Sequence, residues 1–271
     1  MKIILSRKGF DSANGGCASP ILQDGTLLSL PIPAGNDDES IGNGVKLGDL
    51  CHNGKNYLEL IPGKYEDKFV HLDPDIRVDN RKLPTKWKAV FGQCGAAETH
   101  LENMNIEVGD LFLFFGWFRS EGMRTNGKLC YRGPNLHVIY GYLQIGKIIN
   151  ARHNNVDEIK KYDWHPHSVP GYPDNNTLYV AADHLSFAPE LPGYGTFDYS
   201  KELVLTKEGY SRSRWELPDC FRKASISHHN ADSFKKDYFQ SANIGQEFVV
   251  LEDDAVNSWA RNLIVNHSKK S

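Results

Sequence analysis

The chain has 271 residues, of which 40% are hydrophobic and 24% charged, and its formal net charge is −3. These values are typical of a globular protein, and they exclude one that coats nucleic acid non-specifically, because such binding needs a large basic excess. No apolar run reaches the roughly 20 residues that span a bilayer, and no signal peptide is visible. The lack of a long apolar run predicts no membrane partner. The five cysteines are scattered without a C-x-x-C pair, which predicts reduced thiols in a cytoplasmic protein.

The predicted elements are mostly strands. Apolar, aromatic and β-branched runs predict strands, in chain order, at residues 2–5, 25–33, 69–72, 108–119, 137–149, 177–181 and 202–206. Apolar residues at helical spacing predict helices over residues 95–104 and 253–267. A polar, glycine-rich stretch predicts a loop over residues 34–44.

The two strongest strands, at residues 108–119 and 137–149, are aromatic and interrupted by glycines that permit bends. We therefore predict an α+β fold with a large mixed or antiparallel curled sheet and a few helices. The chain forms a single compact domain of residues 1–271, or two tightly fused halves that meet near residue 107. The strand pair also resembles PUA-like barrels, which bind nucleic acid or modified bases in an aromatic-lined cleft. That resemblance makes Trp117 a candidate for stacking on a base, and a plain sheet core is the alternative.

The segment SRKGFDSANGG directly follows the first strand and concentrates polar residues with glycines. Glycines let backbone N–H groups approach an anion, and Arg7 and Lys8 supply positive charge for a phosphate. Ser6 and Asp11 add a hydroxyl and a carboxylate to this candidate substrate-binding segment. The pattern is neither a P-loop nor a G-x-G-x-x-G motif, and a surface turn with solvated charges is the alternative.

The segment HLDPD follows another short strand. Alternate residues of an extended chain share a face, so His71, Asp73 and Asp75 can point in the same direction. Their oxygens suit Mg²⁺ or Mn²⁺ as a cofactor, and the imidazole suits Mn²⁺ or Zn²⁺. The same residues are candidates for general acid–base catalysis. The alternative is a proline turn in which Asp73 caps the backbone.

Two further segments contain candidate polar residues. Gln93 precedes the first predicted helix as a candidate substrate-binding residue, and His100 within that helix is a candidate general base, although a lone helical histidine is more often structural. The loop YDWHPHSVPGYPDNN contains His165 and His167, which could reach a metal or a phosphate. A rigid proline-rich loop with exposed histidines is the alternative for that segment.

The segment SRSRWELP combines cations, hydroxyl groups and an aromatic ring. Guanidinium groups bind phosphate in a bidentate manner, so Arg212 and Arg214 are candidate phosphate ligands. Ser213 adds a donor, and Trp215 offers a stacking face. We expect this segment to lie in the same cleft as Arg7 and Asp73.

The motifs MKIILSRKGFDS, HLDPDI, GDLFLFFGWFR, HVIYGYLQIG and RSRWELP together resemble the nucleotide modification associated domain family, type three. The resemblance implies a bacterial or bacteriophage protein that acts on a nucleotide or on modified DNA, and it supplies no mechanism. The first hypothesis is an enzyme, either a group transferase or a glycosyl-bond hydrolase. The alternatives are a non-catalytic PUA-like reader of modified bases and a protein that sequesters a small nucleotide signal.

Overall fold

The computed structural model describes residues 1–34, 44–62, 65–122, 129–152, 156–242 and 247–268 of the chain. The strands, in chain order, are β1 (Ile3–Arg7), β2 (Ser19–Ile21), β3 (Ile32–Pro33), β4 (Cys51–His52), β5 (Lys55–Asn56), β6 (Val70–His71), β7 (Val90–Gln93), β8 (Leu111–Glu121), β9 (Tyr131–Asn150), β10 (Thr177–Ala181), β11 (His184–Leu185), β12 (Ala188–Pro192), β13 (Tyr194–Thr196), β14 (Arg214–Trp215), β15 (Phe239–Gln240) and β16 (Glu247–Val250). The α-helices are α1 (Tyr57–Leu60), α2 (Gly95–Asn103), α3 (Val156–Ile159) and α4 (Asp254–His267). Short 3₁₀ helices span Leu47–Asp49, Lys160–Tyr162, Pro166–Ser168, Lys201–Leu203, Asp219–Arg222 and Ala231–Ser233.

The main sheet is mixed and curls into a half-barrel. Its strand order is β16-β1-β8-β9-β10-β7, with β2 also paired to β8 and β13 to β9. β1 and β2 run parallel to β8, whereas the other pairings of this sheet are antiparallel. The predicted α+β class with a large curled sheet is confirmed, and the two strongest predicted strands are neighbours, β8 and β9.

The main hydrophobic core is built around the aromatic residues of β8. Phe112 and Phe114 are fully buried, and their rings stack with centroids 5.8 Å apart. The ring of Phe91 in β7 contacts both, at centroid distances of 4.9 and 5.4 Å. Because β9 and β10 separate β7 from β8 in the strand order, these contacts bridge the interior of the curled sheet. Each buried ring stabilises the folded state by about 1.5–3 kcal/mol.

A second hydrophobic cluster is formed by residues between Phe10 and Leu72. The Phe10 side chain is buried, and its ring lies 6.0 Å from that of Tyr65. A side chain at Gly15 would collide with Phe10, since an added Cβ would lie 2.3 Å from the ring. Phe10 therefore anchors the loop that follows β1.

The two predicted helices are confirmed as α2 and α4. The predicted strand at residues 202–206 is wrong, because the chain forms a 3₁₀ helix there and then only isolated bridges. The predicted strand at residues 25–33 is reduced to β3 and isolated bridges, since its prolines have no N–H to donate to a ladder. Most of the predicted loop 34–44 lies outside the described residues. Within the described ranges, no helix is both long and apolar enough to span a membrane.

Candidate functional site

A cleft of about 400 Å³ lies next to the end of β1. It brings together residues from segments that are far apart in the sequence. Eight of its lining residues are predicted site residues: Arg7, Lys8, Asp11, His71, Asp73, Gln93, Trp117 and Arg212. His167, which the sequence predicts could reach a metal or a phosphate, also lines the cleft, as do His137 and Tyr172, which were not selected from the sequence.

The loop after β1 is shaped by one glycine and one aspartate. Gly9 has a φ of +85°, and an added Cβ would lie 2.9 Å from Ser29 Oγ, so only glycine permits this turn. Asp11 Oδ1 accepts hydrogen bonds from the backbone N–H groups of Ala13 and Asn14, at 2.7 and 2.6 Å. Asp11 therefore closes the loop while it lines the cleft.

One part of the cleft holds two arginines. The Arg212 guanidinium lies 4.2 Å from the ring centroid of Trp117, and its Nη2 donates to Ser12 Oγ at 2.9 Å. Burial and the positive charge of Arg7 lower the pKa of Arg212, and Asp11 opposes this shift. The two guanidinium groups are thus close enough to repel each other, and an anion between them would relieve that repulsion.

His137 lines the same part of the cleft, and the buried side chain of Trp215 forms a hydrogen bond with its ring. Trp215 is fully buried, and its Nε1 donates to His137 Nδ1 at 3.1 Å. Because an indole N–H can only donate, His137 carries its proton on Nε2. Burial, together with the charges of Arg212 and Arg7, lowers the pKa of His137 to about 3. His137 is therefore a neutral N–H donor beside the two arginines.

A second part of the cleft contains His71, Asp73 and His167, whose ligand atoms all lie within 4.8 Å of one another. Asp73 Oδ1 accepts from the N–H of Gly92 at 2.8 Å, and Asp73 Oδ2 lies 4.0 Å from His71 Nε2. Burial lowers the pKa of His71 to about 4 and that of His167 to about 3. Both imidazoles are therefore neutral at neutral pH, with a lone pair available.

A buried ion pair links the cleft to the last strand of the sheet. Lys8 Nζ lies 3.0 Å from Glu247 Oε1, and Gln93 Nε2 donates to the same oxygen at 2.7 Å. Glu247 belongs to β16 and is buried. The Lys8 side chain is therefore held in place by a carboxylate, and it also lies 4.5 Å from the ring centroid of Phe91. The cleft thus contains one neutralised cation in addition to the two arginines.

The predicted metal ligand Asp75 lies away from the cleft lining. It is buried, its carboxylate pairs with Arg81 at 2.6 Å, and it accepts a hydrogen bond from Trp87 Nε1 at 2.8 Å. The predicted alternation fails because the strand β6 ends at His71. Asp75 instead exchanges two backbone hydrogen bonds with Val90.

The other predicted residues also lie outside the cleft lining. His100 contacts Ser227 Oγ at 3.0 Å, and Ser6 and Trp215 are buried. Arg214 is exposed against the rings of Tyr210 and Tyr238, and with Ser213 it lines a separate, open pocket. Arg7 and Asp73 therefore share one cleft as expected, but Arg212 joins them and Arg214 does not.

Local sequence patterns do not identify every residue that lines the cleft. His137 lies inside the run HVIYGYLQIG, where it looks like part of a strand, and nothing local distinguishes it. His165 and His167 are both predicted to be able to reach a metal or a phosphate, but their i, i+2 spacing in a loop does not distinguish them, and His167 alone of the two lines the cleft. Cys94 lines the cleft too, but burial raises the pKa of its thiol, which does not favour a nucleophile.

Fold and cleft together define an α+β protein with a polar cleft of about 400 Å³ on a curled sheet. Residues 2–251 match the family model described as nucleotide modification associated domain 3, so the chain belongs to this family. The family name indicates an involvement in nucleotide modification. Comparisons with curated proteins and with solved structures give no match.

Proposed function

We propose that the cleft binds a nucleotide, free or within DNA, and that the protein is an enzyme that modifies it. The observation that carries this proposal is the presence of Arg7, Arg212, Trp117, His71 and Asp73 in one cavity. Ligand pockets usually measure about 300–1,000 Å³, so a cavity of about 400 Å³ suits one nucleotide rather than a long polymer. Membership of the family supports a nucleotide as the substrate.

The phosphate group binds between the two guanidinium groups of Arg7 and Arg212. Charge-assisted hydrogen bonds to phosphate are about twice as strong as neutral ones. Stacking on Trp117 restricts the Arg212 guanidinium to one orientation, which lowers the entropy lost on binding. His137 adds a neutral donor through its Nε2–H.

The base binds against aromatic surface in the same cleft. Trp117 and Tyr172 both line the cavity, and the Tyr172 ring stacks on His167 with centroids 4.3 Å apart. Stacking of a base on an aromatic ring contributes about 1–3 kcal/mol. A base within a duplex would first have to leave the helix to reach this cavity.

The reaction takes place beside His71, Asp73 and His167, and it belongs to one of two classes. In glycosyl-bond hydrolysis, water gives its oxygen to the sugar C1′ and a proton to the departing base. In group transfer, an oxygen or nitrogen of the nucleotide forms a bond to the transferred group and gives up its proton, while the bond between that group and the rest of the donor breaks and the leaving group departs with the electron pair. Both classes need a proton acceptor, and Asp73 lies where it can serve as one or position one.

Binding of nucleoside monophosphates, measured by calorimetry in the presence of a chelator, tests the proposal. Loss of charge-assisted bonds worth about 1.5–3 kcal/mol predicts that Arg212→Ala weakens binding by about 10–100-fold. The matched control Arg214→Ala removes an exposed arginine two residues away and leaves the affinity unchanged. Equal losses in both variants, or no binding by the unaltered protein, would overturn the proposed site.

Mass spectrometry of the bound nucleotide then separates the enzyme from the two alternatives. An enzyme returns a product of changed mass when the divalent metals and group donors are supplied. A reader or a sequestering protein binds with the same dependence on Arg212 but returns the ligand unchanged. A small ligand should also show a weaker dependence on salt than a DNA strand, because it releases fewer counterions.

A further inference from the structure

We propose that His71, Asp73 and His167 bind one divalent transition-metal ion, of the class Mn²⁺, Fe²⁺ or Zn²⁺, within the cleft. This inference extends the proposed function, but it rests on different residues from those assigned to phosphate. Two imidazoles and one carboxylate suit these metals, whereas Mg²⁺ prefers a shell of oxygen ligands. The metal class thus shifts away from the Mg²⁺ that Asp73 and Asp75 together would favour.

The spacing of the ligand atoms suits one shared ion. One atom from each of the three residues lies within 4.8 Å of the other two. Metal–ligand bonds of about 2.0–2.2 Å require ligand atoms roughly 3–4 Å apart. The upper limit of 4.8 Å exceeds this range by about 1 Å, so the ligand atoms must move together around the ion. Three protein ligands also leave a coordination position for water or substrate, as in catalytic zinc sites.

Hydrogen bonds to His167 prepare its other nitrogen for a metal. His167 Nδ1 lies 2.7 Å from Asn176 Oδ1, and Asn176 Nδ2 donates to the His167 carbonyl at 2.7 Å. The second bond fixes the amide orientation, so Nδ1 must donate and Nε2 carries the lone pair. Histidines that bind metals usually donate their second N–H to an oxygen in this way. Asn176 is therefore a positioning residue.

The carboxylate is prepared in the same manner. Asp73 Oδ1 accepts from the backbone of Gly92, which leaves Oδ2, the oxygen nearer His71, for the ion. His165 Nε2 is fully buried and lies 3.2 Å from Asp73 Oδ1, and it forms no hydrogen bond within the described chain. Because His165 Nδ1 accepts from the His167 N–H at 3.3 Å, the proton of the neutral ring lies on Nε2. An N–H group therefore faces Oδ1 and leaves Oδ2 as the oxygen available to the ion.

Metal binding can be measured without any nucleotide. The protein is stripped with a chelator and titrated with Co²⁺, whose visible absorption reports its ligand set, and with Mn²⁺ and Zn²⁺ by calorimetry. We expect one ion per chain, and at least a 100-fold loss of affinity in His167→Gln and in Asp73→Asn. The exposed histidine variant His184→Gln serves as the matched control and keeps the full affinity.

A positioning variant keeps the test decisive if a ligand variant fails to fold. Asn176→Ala leaves all three ligands in place and should weaken binding by about 10–100-fold. Binding of less than about one ion per ten chains, or unchanged affinity in His167→Gln, would overturn the metal site. Nucleotide binding in chelator that persists without metal binding would overturn this inference alone and leave the proposed function standing.

Discussion

Asp73 and Asp75 are separated by a single proline, yet they lie in different regions of the molecule. Asp73 lines the cleft and keeps one carboxylate oxygen near His71. Asp75 is buried behind the cleft, where Arg81 and Trp87 satisfy its carboxylate. The Asp75 carboxylate therefore forms its hydrogen bonds within the protein. The comparison shows that the Asp75 carboxylate is satisfied by partners within the protein, whereas Asp73 presents an oxygen to the cleft, where the proposed ligand would bind.

The largest expected effect comes from the buried ion pair. Asp75→Asn leaves the Arg81 guanidinium without a counter-charge, and breaking a buried pair in this way costs about 3–5 kcal/mol. Urea denaturation measures the change in the free energy of unfolding. Asp73→Asn is the matched substitution in the cleft, and its loss of stability should be much smaller. Equal losses in the two variants would remove the distinction between the regions.

A second buried carboxyl group predicts a pH dependence of stability. Tyr179 Oη lies 3.0 Å from both carboxyl oxygens of Glu98, and burial raises the pKa of Glu98 from 4.5 to about 8. Between these values the folded protein holds a proton that the unfolded chain has released. The free energy of unfolding therefore falls as the pH rises from 4.5 to about 8 and then levels off.

The Glu98→Gln variant removes this ionisable group and keeps an acceptor for Tyr179. In this variant, the free energy of unfolding should no longer fall between pH 4.5 and about 8. In the unaltered protein, this fall amounts to a few kcal/mol over that pH range. Thermal and urea unfolding at several pH values measure it. A slope as steep in the variant as in the unaltered protein would assign the pH dependence to other groups.

The substitution Gly92→Ala is expected to have the smallest effect on stability, but it should also change the cleft. An added Cβ there would lie 2.4 Å from the His167 ring. Gly92→Ala should therefore cost about 1–3 kcal/mol through overpacking, and it should displace His167 and weaken metal binding. A double-mutant cycle with His167→Ala isolates the clash. Additive effects in that cycle would show that the two residues do not press on each other.

Sequence reasoning succeeded where a pattern is local and long. The aromatic run of β8 and the glycine-broken run of β9 predicted the central strands, and helical spacing predicted α2 and α4. It failed where a turn interrupts an alternating pattern. Arg212 and Arg214 alternate in sequence, but the Arg214 N–H donates to the Ser211 carbonyl at 2.9 Å, and this turn sends the two side chains to different pockets.

The sequence predicts only some of the residues that line the cleft or contact its lining. Arg7, Asp73 and Arg212 stand out because several polar residues crowd each of their segments. His137 and Glu247 each directly precede an apolar run in their strands, and nothing in the surrounding sequence distinguishes them from ordinary strand residues. Their roles follow from partners far away in the chain, such as Trp215 for His137, and only the assembled sheet brings those partners into contact.

The link between Lys8 and Glu247 sets an order of events during translation. Lys8 is synthesised long before its counter-charge Glu247, which lies in β16. A nascent chain that has reached residue 240 carries every arginine and histidine of the cleft but lacks Glu247. The proposed nucleotide site is therefore complete only once β16 has been synthesised and has paired with β1.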